Sequence, residues 1–151
     1  MGSAMAANLA KAGYRVHGYD IVPARRAALK KAGGTPQASI ARVARAAEVL
    51  ITSLPSAAAL HAVADELAGK GLVVIETSTL PIEEKERARA ALATKGAVLL
   101  DCPLSGTGAQ ARAKDLVVYA SGDRKAYARA APFMPGFSRA QHYLGAFGNG
   151  S

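Results

Sequence analysis

The stretch Met1–Asp20, MGSAMAANLAKAGYRVHGYD, carries two residues whose types and places suit chemistry. Gly2 opens an Ala-rich helix, where a missing Cβ lets helix and strand pack closely. Asp20 stands at the end of the strand that follows. A carboxylate there accepts hydrogen bonds from hydroxyl groups, although Asp20 also suits the cap of the Ile21–Pro23 turn. The run Asp101–Asp123, DCPLSGTGAQARAKDLVVYASGD, sets Ser105, Gly106 and Thr107 in a tight loop after a strand. Convergent hydroxyl and backbone N–H donors hold an anion, and glycine lets the backbone approach it. Leu54-Pro55 closes an apolar strand, and ETSTLP, Glu76–Pro81, puts Ser78 and Thr79 at a strand-to-helix junction.

Other chemistries find little support. Cys102 is the single cysteine, which excludes an intrachain disulfide and a multi-Cys zinc site. It reads as a small packed residue, since no histidine is paired with it. His17, His61 and His142 lie too far apart for ligand spacing, so no metal is expected. Asp101 and Asp123 read as turn residues. The net charge of +8 raises nucleic acid as a partner. The basic residues, Lys30, Arg42, Lys85, Arg89 and Arg129 among them, are scattered over predicted outer helix faces. With only 5% aromatics and no tryptophan there is no basic stripe interleaved with rings, and no nucleic-acid partner is expected. No apolar run reaches the length of about 18 residues that a membrane span needs. No signal peptide is visible, and a cytoplasmic protein is expected.

The elements that must position these residues alternate almost to the end of the chain. Gly2–Ala12, Pro23–Ala32, Ile40–Ala47, a helix from Ser56 to about Leu67, a helix after Ser78 or Thr79 with Pro81 in its first turn, and Arg124–Ala131 are predicted helical. Tyr14–Asp20, Val49–Leu54, Leu72–Glu76, Ala97–Leu100, Leu116–Ala120 and a short stretch near Tyr143-Leu144 are predicted strands. Continuous apolar strands between helices mean a parallel sheet covered on both faces. Ligands bind such sheets outside the carboxyl ends of the strands, here the loops after Asp20, Leu54, Glu76 and Asp101.

The fold class expected is α/β, a Rossmann-like doubly wound parallel sheet. Gly2 and Asp20 fit the back end of its G-x-G-x-x-G unit. The first strand and the first two glycines of that unit are missing, so a gap is expected beside the Tyr14–Asp20 strand. Residues 1–151 are expected to be a dinucleotide-binding domain truncated at both ends. Another chain or further residues would then fill the gap.

MGSAMAANLAKAG, Leu54-Pro55, ETSTLP, DCPLSGTG and the closing YLGAFGNGS occur in an order that resembles the β-hydroxyacid dehydrogenase family, related to 6-phosphogluconate dehydrogenase. The resemblance runs the whole length of the chain. It implies NAD as cofactor, with NADP as the alternative, held by Gly2, Asp20, Leu54, Pro55 and Thr79. It implies that Ser105, Gly106 and Thr107 match the family's Ser-Gly-Gly loop and bind a small carboxylate-bearing substrate. It implies a catalytic lysine beyond Ser151, a helical C-terminal domain and a homo-oligomeric parent enzyme, none of which lies within these residues. Arg25 and Arg26 follow Asp20 closely enough to approach an adenosine 2′-phosphate. Thr107 stands where the family has glycine, and Lys114-Asp115 where it has Gly-Thr. The missing start of the motif and the Thr107 departure leave open a non-catalytic dinucleotide-binding module or a degenerate homologue.

Overall fold

The computed structural model describes Met1–Ser151. Helices α1 (Gly2–Lys11), α2 (Pro23–Lys31), α3 (Ile40–Ala46), α4 (Ala57–Glu66), α5 (Ile82–Ala93), α6 (Gly108–Arg112) and α7 (Arg124–Ala130) alternate with strands for most of the chain. The strands are β1 (His17–Gly18), β2 (Thr35–Pro36), β3 (Val49–Thr52), β4 (Val73–Glu76), β5 (Val98–Asp101), β6 (Leu104–Ser105), β7 (Val117–Ala120) and β8 (Ala140–Tyr143). A 3-10 segment, Ala131–Gly136, follows α7.

The centre is the parallel set β3-β4-β5, in register from Val49↔Val73↔Val98 to Thr52↔Glu76↔Asp101. All of β4, Val-Val-Ile-Glu, is buried. Its alternating side chains feed two cores, as a strand covered on both faces must. Val73 and Ile75 pack with Met5 and Leu9 of α1, Leu100, Val118 and Phe137. Val74 packs with Leu50, Leu60 of α4, Leu92 of α5 and Leu99. The second set, β6-β7-β8, joins β5 through the antiparallel bridge Asp101↔Ser121. Within it β6 runs antiparallel to β7, an exception to the all-parallel expectation.

β1 pairs only with β2, and no strand stands between β1 and β3. A cavity of about 480 Å³, lined by Val16 and His17 on one side and Val49 and Ile51 on the other, occupies that place. The expected gap is present. It also explains why the Tyr14–Asp20 strand is reduced to His17–Gly18: β2 is its single partner, and the ladder ends where β2 turns. No helix is long and apolar enough to cross a membrane.

Ser39, Ser56 and Asp123 cap their helices by accepting from the N–H of Arg42, Ala59 and Ala126. Neither Ser78 nor Thr79 caps α5; Pro81 holds that position, and the Ser78 hydroxyl is engaged elsewhere. Between α4 and α5, His61 Nε2 lies 2.6 Å from Glu84 Oε2. That hydrogen bond holds the Glu84 carboxyl below its ordinary value of 4.5, with the Arg87 charge adding to the effect. A carboxylate lowered on folding stabilises the native state above its unfolded value, and the gain is lost as pH falls through the native value. Replacing Glu84 with Gln should therefore flatten the fall of Tm below about pH 4.5, as acid-limb thermal melts would show.

Candidate functional site

In the parallel set the carboxyl ends of β3, β4 and β5 share one edge, and the start of α1 lies on it. A Cβ built on Gly2 would sit 3.4 Å from the Cβ of Ser53, in the loop after β3. The first N–H groups of a helix have no carbonyl partner within it. At α1 no acidic side chain occupies the first turn and no side chain caps it. The edge therefore presents donors suited to a phosphate.

The loops after β3 and β4 are knitted together from below. Glu76, wholly buried at the end of β4, accepts from the Thr52 hydroxyl and from the Ser78 N–H. The Thr77 hydroxyl donates to the Thr52 carbonyl at 2.7 Å, and the Leu54 N–H donates to Ser78 Oγ at 2.8 Å. This network fixes Leu54, and with it the exposed Pro55 and Thr79, on the rim. Neither Glu76 nor Thr52, which carry this network, is among the candidate site residues of the sequence; Ser78 is read there only at the strand-to-helix junction. A glutamate closing an otherwise apolar buried strand was the available signal.

Asp20 lies two residues past β1 and serves partly as the turn cap. Its Oδ1 accepts from the Val22 N–H at 2.9 Å, while Oδ2 meets Arg25 only at 3.5 Å. Arg26 donates to the Asp20 carbonyl and lies 5.8 Å from the centre of the Tyr19 ring. Both arginines fold back on the Asp20 turn, and Oδ2 keeps capacity for a further donor.

Ser105, Gly106 and Thr107 are exposed; Ser105 is not a loop residue but ends β6, paired with Val117, and Gly106 and Thr107 lead from it into α6. Gly106 has φ +142°, and a Cβ there would come within 2.6 Å of Leu116 Cδ2. Thr107 is committed to structure. Its hydroxyl accepts from the Gln110 N–H, and its N–H donates to Gln110 Oε1 at 2.8 Å, forming a capping box on α6. Sequence reading grouped Thr107 with the anion-binding residues; the donors the loop leaves free are centred on Ser105 and Gly106.

Lys114 and Asp115 also serve the scaffold. Asp115 pairs with Arg139 at 2.8 Å, and Lys114 follows α6 with φ +59°. A left-handed lysine carries a steric cost of about 1–2 kcal/mol that glycine escapes, less about 0.5–1 kcal/mol for glycine's lost freedom. Replacing Lys114 with Gly should stabilise the protein by about 0.5–1 kcal/mol in urea titration.

Two sequence readings are corrected. Lys85 is not on an outer helix face: it is fully buried, its Nζ 2.8 Å from Oδ1 of the equally buried Asp101. Asp101 is therefore no turn residue but half of an interior ion pair. Cys102 is also fully buried, and burial, with the Asp101 charge next, pushes its thiol well above the ordinary range. It is a packing residue.

N–H donors at a helix start, a carboxylate acceptor past the neighbouring strand and a rim formed by the loops after β3 and β4 suit the phosphates and hydroxyls of a dinucleotide. The pattern of the family described as the NAD binding domain of 6-phosphogluconate dehydrogenase matches residues 1–145. The chain is 35% identical to a 3-hydroxyisobutyrate dehydrogenase of Pseudomonas aeruginosa, over 99% of this chain and 52% of that protein. It is 32% identical to an NAD-dependent L-serine dehydrogenase of the same organism, again over 99% and 52%. It superposes with a TM-score of 0.95, at 28% identity, on a Mycobacterium tuberculosis 3-hydroxyisobutyrate dehydrogenase solved with L-serine, covering 99% of this chain and 53% of that one. The chain thus spans about half the length of the relatives it matches. Its fold, its site and a match over nearly all its residues make it a member of the family of 6-phosphogluconate dehydrogenase NAD-binding domains.

Proposed function

We propose that this chain is the cofactor-binding part of an NAD(P)-dependent oxidoreductase acting on a small β-hydroxy acid or the matching semialdehyde. The observation that carries the reading is the uncapped start of α1 beside Ser53, at the edge where the loops after β3 and β4 are locked together. The names of the relatives support the substrate class. When bound, the nicotinamide cofactor exchanges hydride with the substrate carbon.

The work of this chain's own residues is binding and orientation. The first N–H groups of α1 take the pyrophosphate. Asp20 accepts from the ribose diol. Leu54, Pro55 and Thr79 line the path of the cofactor. Ser105 and the Gly106 N–H hold the substrate carboxylate. A lysine C-terminal to Ser151 is proposed to move the proton at the reacting oxygen, because the family resemblance puts it there. The parent protein is proposed to be homo-oligomeric on the same ground, and cytoplasmic because the single cysteine of this chain, Cys102, suits a reducing compartment.

Asp20 should favour NAD, since a carboxylate at the ribose accepts from the diol and repels a 2′-phosphate. A hydrogen bond to a charged group contributes about 1.5–3 kcal/mol. Asp20→Ala should therefore weaken NADH binding by roughly 10–100-fold and narrow the ratio of NADPH to NADH affinity. Calorimetric titration of both cofactors into wild type and variant measures this. A wild-type preference for NADPH would remove the assignment of Asp20. If neither cofactor binds, the proposed function is removed.

A further inference from the structure

The Lys85–Asp101 pair asks for an explanation that the cofactor site does not supply. Both side chains are fully buried, and a buried pair is no better for stability than well-packed apolar residues. What distinguishes this pair is where its remaining hydrogen bonds go. Asp101 Oδ1 accepts from Lys85 Nζ at 2.8 Å and from the Ser151 hydroxyl at 2.7 Å. Oδ2 accepts from the Ser151 N–H at 3.0 Å and from the Ser121 hydroxyl at 3.2 Å. Ser121 Oγ in turn accepts from the Gly150 N–H at 3.0 Å. Two backbone N–H groups and one hydroxyl of Gly150-Ser151 thus end on a carboxylate and a hydroxyl at the carboxyl ends of β5 and β7.

The segment is seated as well as bonded. Phe147 packs against the core beneath α5, with the Arg89 guanidinium 4.8 Å from its ring centre. A Cβ on Gly148 would meet Ile82 at 3.2 Å. A Cβ on Gly150 would come within 2.4 Å of the Tyr119 carbonyl oxygen, so only glycine lets the backbone lie this close.

We propose that Lys85, Asp101 and Ser121 are positioning residues. They dock Phe147–Ser151 in one orientation and so set the direction of the chain that carries the proton-moving lysine. Lys85 supplies the countercharge that keeps an ionised acceptor inside the domain. Asp101 and Ser121 convert that charge into fixed backbone geometry. The catalytic half of this inference rests on the oxidoreductase reading above; the docking half does not.

The test uses the full-length protein. Asp101→Asn alone would strand Lys85 without a counterion, so the informative variant is the pair Lys85→Met with Asp101→Leu, which removes both charges while keeping volume. Hydrogen exchange is read at the Gly150 and Ser151 amides and at the β4 amides. Turnover is read with 3-hydroxyisobutyrate and NAD⁺. The inference expects β4 protection and the NAD⁺ Kd to stay within twofold. It expects protection at Gly150 and Ser151 and kcat each to fall at least tenfold. Ser121→Ala should move the same two readouts the same way, by a smaller factor. Retained protection at Gly150 and Ser151 would overturn the docking. Lost protection with wild-type kcat would overturn the positioning role. If the wild-type protein turns over neither this substrate nor L-serine nor L-threonate, the functional reading fails on its own, and the exchange data still decide the docking.

Discussion

Lys85→Ala is expected to be strongly destabilising. The ammonium and the Asp101 carboxylate lie 2.8 Å apart with neither side chain exposed. Removing one partner leaves the other buried and uncompensated, which costs about 3–5 kcal/mol. For a chain of this size each kcal/mol moves Tm by about 2–4 °C, so the midpoint should fall by about 6–20 °C. Lys85→Met with Asp101→Leu should recover most of that loss, because it removes both charges. Calorimetry on the three proteins decides it. A Lys85→Ala protein within 1 kcal/mol of wild type would show that the pair is reached by solvent.

Gly106→Ala should cut kcat/KM for an acidic substrate by roughly 100-fold while leaving dinucleotide affinity unchanged. At φ +142° the backbone is in a region that side chains rarely enter, and the added Cβ would meet Leu116 at 2.6 Å. Leu116 is fully buried and cannot withdraw freely. The loop must therefore move, carrying Ser105 with it. A displacement of about 1 Å in a substrate-positioning group is enough for a loss near 10². Steady-state kinetics on the full-length protein, with NADH titration as the control, separates this from unfolding. Wild-type kinetics in the variant would detach the Ser105–Gly106 loop from the substrate.

The fold was legible because its strands are simple. VLIT and VVIE are continuous apolar runs between helices; VVIE is buried on both faces, as that pattern predicts, whereas VLIT buries one face and turns Val49 and Ile51 to the cavity beside β1. Ser39 and Ser56 announced their helix starts by residue type, and each accepts the expected N–H. Ser78 misled for a physical reason. Its hydroxyl serves the Leu54 N–H on the neighbouring loop, a tertiary bond that no local pattern encodes. Helix α6 was overlooked because it has only five residues, although Thr107 and Gln110 form the spacing of a capping box.

Lys85 is the more instructive miss. In IEEKERARAALA the charges surround it, and a lysine there reads as surface. Its neighbours at i+3 and i+7, Ala88 and Leu92, are the buried face of α5, and Lys85 lies in line with them. The face was readable, but the countercharge was not, since Asp101 comes from β5 and becomes a partner only when α5 packs on the sheet. Gly2, Asp20, Leu54 and Thr79 sit at element ends, which the alternation of helix and strand locates directly, while the cofactor role given to Leu54 and Thr79 comes from the family resemblance alone.

The central claim is that a nicotinamide dinucleotide binds along the edge where α1 begins and where β1, β3 and β4 end. Titration of ¹⁵N-labelled protein with NADH, followed residue by residue through the backbone amides, tests it most directly. The account predicts saturable shifts at Gly2, Ser3, Asp20, Leu54 and Thr79, with little change along β8. Absence of any saturable shift, or shifts centred on β8 and α7 with Gly2 and Leu54 unmoved, would contradict it.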